Sequence, residues 1–425
     1  LSEPLPIDVS NPAVEAEPWP FGEDERASLL GRALAGATLA MVALSWPLWI
    51  DLVDFPAIPL IKGFPSYPRE WSWWGLGLLA ASLCLGMTPR FWRWGLGLAC
   101  GVLGLLILGD QLRLQAWIYQ FLVMASLLAV LSGQTAIVLC RVFLISMYVH
   151  SGIAKLDYAF VHELGPLFLK AFAKVVGWNL STVEGRWFEV AVLAMPISEI
   201  FLAILISFHK TRVFGYMGLL VLHCVLLLIL GPLGLGHSTI VLMWNIALVV
   251  EEFLLLWPSS DFGPRPFTWD RRARLAAVVV AGLVILPLLE RRGLWDSWPS
   301  HALYASHCER STIELMPGYR ASDETRGVFN WREVDGRSFL NLTNWSREVR
   351  GVPAYPQARY ANGVAEWLAE RANEKAELPS YTVSHQLRAE IVTGERKTDE
   401  AKGLSSIRVL GDRYWFNSHP RRISR

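Results

Sequence analysis

The feature that most limits what this chain can become is a series of nine apolar runs between residues 29 and 289. In hydrocarbon every backbone N–H and C=O must find its partner within the segment, so a long apolar run that enters a bilayer folds as a helix. The runs are Leu30–Ile50, Trp73–Met87, Trp92–Leu108, Ala116–Leu131, Ala136–Ala154, Phe188–Phe208, Val213–Leu233, Ser238–Trp257 and Leu275–Leu289. The second to fourth are short for a core of about 30 Å and are expected to lie untilted or partly in the interface. The expectation is an α-helical polytopic membrane domain of about nine spans with a small C-terminal α/β soluble domain.

Three regions follow from this. Residues 1–28 are acidic and Pro-rich, lack the basic segment that opens a signal peptide, and read as a flexible cytoplasmic tail. Residues 29–289 form the transmembrane domain, and residues 290–425 a domain outside the cytoplasm. Orientation rests on Lys and Arg in the loops. With the N-terminus inside, the inner loops carry Arg90, Arg93, Lys210, Arg212, Arg265, Arg271, Arg272 and Arg274, whereas the loop at 231–237 has neither Lys nor Arg. The implied location is a plasma or inner membrane.

Only 18% of the 425 residues are charged and the net charge is +1, so no basic field argues for nucleic acid. The expected partners are the lipid bilayer and a lipophilic small molecule. Four of the five cysteines fall in apolar runs and no CxxC occurs, so a disulfide framework is not expected. Among the 20 tryptophans, Trp71, Trp73, Trp74, Trp92, Trp94, Trp117 and Trp257 sit at the ends of runs, as an interfacial belt requires. The echo between Trp74-Gly75-Leu76-Gly77-Leu78 and Trp94-Gly95-Leu96-Gly97-Leu98 reads as small residues for close helix packing, because no strand precedes either run.

The loop from Lys155 to Arg186 has apolar residues at helical spacing (Phe160, Leu164, Leu167, Phe168, Phe172, Val175), and a helix lying in the interface there would roof a cavity between spans. In the C-terminal region, Ser311–Leu315 and Ser338–Leu342 read as strands and Gln357–Lys375 as a helix. Ile407–Leu410 and Arg413–Phe416 read as a hairpin split by Gly411-Asp412.

Ionisable groups inside apolar runs are costly and mark candidate sites. Lys155, closing the fifth run, is either a lysine reaching the headgroups, paired with Asp157, or a desolvated amine; burial disfavours the ammonium and yields a base. Glu199 and His223 lie mid-run and are able to face each other, either as a structural hydrogen bond or as a contact to a lipophilic substrate. His237 begins the eighth run near the depth of Lys155, with Asn245 about two turns deeper. Asp110, Arg113, Gln115 and Tyr119 flank the short loop into the fourth run and read as a solvated loop with an interfacial tyrosine, with Tyr119 retained as a candidate contact. No HExxH, P-loop, EF-hand or GxSxG pattern is present, and the histidines show no metal-ligand spacing.

Ala154-Lys155-Leu156-Asp157, the mid-run Glu199, and Leu222-His223-Cys224 followed by a Gly-rich turn resemble the HTTM family, which shares its transmembrane domain with the vitamin-K-dependent gamma-glutamyl carboxylase. The resemblance covers roughly Leu30 to Trp257. It implies a membrane cavity for a lipophilic, quinone-like molecule with Lys155 as the catalytic base; Glu199, His223, His237, Asn245 and Tyr119 are read from their positions in the runs as candidate substrate contacts. The carboxylase has a second lysine where this chain has Ala154. It also has an Asn-His pair before a tyrosine where this chain has Gln115-Ala116-Trp117-Ile118-Tyr119. The missing histidine sets carboxylation itself apart from what the resemblance implies. Two other readings stay open: a non-catalytic DoxX-like component that hosts a quinone or supports a redox partner, and a transporter.

Overall fold

A computed structural model describes residues 22–180, 183, 185–257, 270–315, 331–374 and 381–421. Every one of the nine apolar runs is helical. The helices are α1 (Glu23–Leu44), the short α2 (Trp46–Trp49), α3 (Trp71–Gly86), α4 (Trp92–Gly109), α5 (Ala116–Val130), α6 (Gly133–Ile153), α7 (Gly165–Val175), α8 (Arg186–Ser207), α9 (Arg212–Leu230), α10 (Thr239–Leu256) and α11 (Arg271–Ile285). Among the described residues seven are long and apolar enough to cross a membrane: α1, α4, α6, α8, α9, α10 and α11 with its 3-10 extension to Arg292. The helices α3 and α5 are apolar but shorter.

The first helix begins at Glu23, inside the stretch expected to be a tail. The cause is Arg26, which is fully buried and donates to the Leu254 and Trp257 carbonyls. Arg141 of α6 does the same at Leu255. The last turn of a helix leaves carbonyls without intrahelical partners, and two guanidinium groups satisfy those of α10. Residues 1–21 of the expected tail lie outside the described residues.

Small residues set the helix spacing. A Cβ on Gly95 would stand 2.1 Å from the Gly86 backbone, and one on Gly86 would stand 3.1 Å from Ala35, so α1, α3 and α4 meet nearly backbone to backbone. Of the repeated Gly pairs, Gly75 and Gly95 are packed, whereas Gly77 and Gly97 face open space. The tryptophan belt is partly corrected: Trp74 and Trp94 are exposed, but Trp92 and Trp117 are buried, Trp117 edge-on to Trp49.

The C-terminal region carries β1 (Arg310–Leu315), β2 (Trp331–Val334), β3 (Arg337–Leu340), α12 (Leu342–Arg350), α13 (Ala358–Glu374), β4 (Tyr381–Gln386), β5 (Thr398–Lys402) and α14 (Gly403–Asp412). Its five strands form an antiparallel sheet in the order β2-β3-β1-β4-β5. The expected hairpin is absent: Ile407–Leu410 lies within α14, where Ile407 and Leu410 bury one helical face against α13, and residues 413–416 are turn. The short run Ile407-Arg408-Val409-Leu410 fits either period, and contact with α13 settles the helix.

This region does not stand apart from the bundle. Arg350 donates to the Ile50 and Leu48 carbonyls and to Asp110, Arg421 pairs with Asp51, and Arg359 reaches Gln111. Asp110, Arg113 and Gln115, expected to be solvated, are therefore buried. The C-terminal arginines cover that loop, a contact that no local pattern announces.

Candidate functional site

The end of α6 is brought against α8 by Gly152. A Cβ there would stand 2.8 Å from the Pro196 carbonyl oxygen and 2.5 Å from Ile200. This close approach places Lys155, three residues on, beside Glu199. Lys155 Nζ lies 3.0 and 2.8 Å from the two Glu199 carboxylate oxygens, 2.6 Å from Ser151 Oγ and 3.1 Å from the Ser151 carbonyl. Both side chains are buried, at 5% and 9% exposure. The alternative partner, Asp157, is taken by Arg291 and His307 at 2.9 and 2.8 Å. Lys155 is thus neither solvated nor paired with Asp157. It is held by the acid expected to face His223.

Lys155 and Glu199 line a cavity of about 650 Å³ enclosed by α6, α8, α9 and α10. Apolar side chains such as Leu202, Leu222, Leu226 and Val241 form most of its wall. Phe160 and Phe168, from the loop expected to roof a cavity, contribute to it, and α7 is a helix as its pattern requires. Trp298, His301, Tyr304 and Arg347 close the same end from the C-terminal region.

A second polar group faces the cavity. His223 Nδ1 donates to Asn245 Oδ1 at 3.0 Å, which fixes the ring, and Asn245 Nδ2 is anchored on the Val241 carbonyl. His223 Nε2 lies 2.7 Å from Tyr148 Oη and 2.9 Å from Glu252 Oε1, and the tyrosine hydroxyl also donates to Glu252. Tyr148, His223 and Asn245 line the cavity, with Glu252 fully buried behind them. Beside this cluster Trp244 donates to Gln120, which donates to Glu251. The acids Glu251 and Glu252, the tyrosine Tyr148 and Arg141 are not among the residues expected from the sequence. Two adjacent acids in an otherwise apolar run were the available signal, because such groups persist only when paired.

Of the expected contact residues, Glu199, His223, His237 and Asn245 line the cavity together with Lys155. His237 packs edge-on to Tyr304 at 5.5 Å between centroids. Tyr119 is buried one layer back, against Phe143 and His301.

The roof segment is held firmly. Asp296 accepts from Tyr355 Oη and from Arg359, and Ser297 is bound to Glu290 and Gln357. These clamps hold His301 and Tyr304 at φ +57 and +56, left-handed values that cost a bulky residue about 1–3 kcal/mol and mark a site worth explaining.

Glu290, His307 and Cys308 also approach one another closely enough to hold a metal ion. Both His307 ring nitrogens already face carboxylates, Asp157 at 2.8 Å and Glu290 at 2.9 Å, and Arg388 holds Glu290. Burial alone would lower the His307 pKa, but its hydrogen bonds to Asp157 and Glu290 outweigh burial and raise it above the ordinary value. An imidazolium between two carboxylates serves as a clamp between the end of α6 and the C-terminal region.

No protein-family model, curated protein or solved structure matches this chain.

Proposed function

We propose that this chain is an integral membrane enzyme of HTTM type, in which Lys155 exchanges a proton with a lipophilic, quinone-like molecule in the cavity. The observation that carries the proposal is the placement of the Lys155–Glu199 pair on the wall of an otherwise apolar chamber. In a water-poor site an ion pair and its neutral tautomer differ less than they do in water, because separated charge loses its hydration. Passing one proton from Nζ to the Glu199 carboxylate leaves an amine lone pair able to take a proton from a substrate hydroxyl. Ser151 keeps Nζ in place during that exchange. Tyr148, two turns before Lys155 on α6 and hydrogen-bonded to His223 and Glu252, is the group we assign to return a proton. In this reading the N-terminus is cytoplasmic and the C-terminal region lies outside.

The test is spectroscopic. Menadiol, added to the purified protein under argon near neutral pH, should show the absorption of its anion in the wild type. Lys155→Met should bind it without that signature. Identical spectra from the two proteins would overturn the lysine base.

One observation favours a second reading, a non-catalytic quinone-holding component. The three N–H bonds of the Lys155 ammonium face four acceptors, so the lysine is already satisfied. In that case menadiol binds and stays protonated, and the same spectra separate the two.

A further inference from the structure

His301 reaches the cavity from the C-terminal region and carries a buried ring nitrogen with no partner, as does the Trp117 indole N–H on the same wall. Lys155, Glu199, His223 and Asn245 all have hydrogen-bond partners. The His301 side chain has none: its Nε2 is buried without a partner, and the residue is 3% exposed. Its ring packs against Tyr119 and Phe143, with centroids 5.7 and 5.4 Å away. The Tyr119 hydroxyl is likewise buried and unpartnered. Two adjacent rings therefore carry polar atoms removed from water with nothing to bond, an arrangement that costs stability unless a ligand completes it. The backbone of His301 is held at a left-handed φ by a clamped segment, so the ring is positioned at a cost to the fold.

The charge state narrows the ligand. Burial first, and then the neighbouring His150, push the His301 pKa down to about 3. The imidazole is neutral across the physiological range and offers one donor and one acceptor nitrogen. A neutral imidazole among aromatic rings suits an uncharged oxygen on a flat apolar molecule and gives no reason to hold an anion.

We infer that His301, backed by Tyr119, is the hydrogen-bonding subsite of the chamber roof, binding a hydroxyl or carbonyl oxygen of an uncharged, ring-bearing lipophile. This rests on the reading of the chamber as a lipophile site. It makes the C-terminal region part of that site: the membrane helices supply the proton-exchanging pair, and the roof fixes which end of the ligand faces it.

A matched pair of probes tests this. 1-Naphthol and 1-methylnaphthalene have nearly the same shape and differ in one hydroxyl. Each is partitioned between lipid nanodiscs containing the full-length protein and empty ones. The wild type should take up the naphthol about ten-fold more strongly than the methyl analogue after correction for empty discs. His301→Leu should bring that ratio close to one while leaving methylnaphthalene uptake intact, and His301→Gln should keep part of it. Should His301→Leu fail to fold, Tyr119→Phe and His301→Gln carry the comparison, and the wild-type ratio stands by itself. A ratio near one in the wild type, or an unchanged ratio in the variants, overturns the inference but leaves the chamber reading standing. Uptake of neither probe overturns the chamber reading and the inference with it.

Discussion

Two buried charge clusters in this molecule use the same kinds of side chain and end in different states. At the junction between the bundle and the C-terminal region, Asp51 pairs with Arg113 and Arg421, and Asp110 with Arg350. Arg113 and Arg350 also donate to the Leu48, Leu106 and Ile50 carbonyls, although Arg350 Nε is left without a partner. In the chamber, Lys155 and Glu199 pair just as closely, but one side of the pair faces open space. The junction is a closed set of charges, fixed by two loops and the C-terminal segments. The chamber pair can be approached from the cavity, which is what the proposed proton exchange requires. Burial by itself therefore does not distinguish the two clusters; access on one side does.

The junction should give the largest effect when broken. Asp110→Ala leaves Arg350 buried with no carboxylate, a situation that costs about 3–5 kcal/mol. The detergent-solubilised variant should unfold at markedly lower temperature or fail to accumulate. A change within measurement error would mean water reaches this cluster and the contrast is false.

A middle effect is expected at the contact that builds the chamber pair. Gly152→Leu overpacks the α6–α8 approach at a cost of about 1–3 kcal/mol and pushes Lys155 away from Glu199. A carbodiimide should join the Lys155 amine to the Glu199 carboxylate in the wild type, as an isopeptide visible by mass spectrometry. The Gly152→Leu protein should give little of that product. Equal yields would show that the pair does not depend on this contact.

The smallest effect is expected from the His307 clamp, and it depends on pH. The folded-state pKa of His307 lies above its unfolded value, about 6.5. Its stabilisation is therefore fully present below pH 6.5 and is lost as pH rises through the folded value. Asp157 behaves in the opposite sense. Burial would raise it, but the hydrogen bonds from His307 and the Phe160 amide hold it below the usual carboxylate range. Its contribution is present above that range and fades on acidification. The stability gap between the wild type and His307→Gln should be widest between these limits and narrow toward alkaline pH. A gap that does not change with pH would remove the imidazolium from the account.

Much of the fold could be read from the residues, for a physical reason. Apolar runs fix helices locally, so all nine were legible, as were the strand at Ser311–Leu315 and the helix from Gln357. The errors fell where local pattern is ambiguous. Ile407–Leu410 fits either period and became helix through contact with α13. The strands at Trp331–Val334, Tyr381–Gln386 and Thr398–Lys402 have little apolar signal of their own; the first closes a hairpin on Arg337–Leu340, and the second is held by the distant Arg310–Leu315. In the site, Lys155 and Glu199 were conspicuous as charges in apolar sequence, but their pairing across 44 positions was not.

By itself the sequence determined the helical bundle and the few titratable groups within it, since both follow from the cost of leaving polar groups unsatisfied in an apolar segment. Which of those groups meet was decided only by the tertiary structure. A lysine, a glutamate on another helix and a histidine from beyond residue 295 share one cavity because of the close approach at Gly152 and the clamp at Asp296. Contacts of that kind depend on the distance between elements, which no run of neighbouring residues encodes.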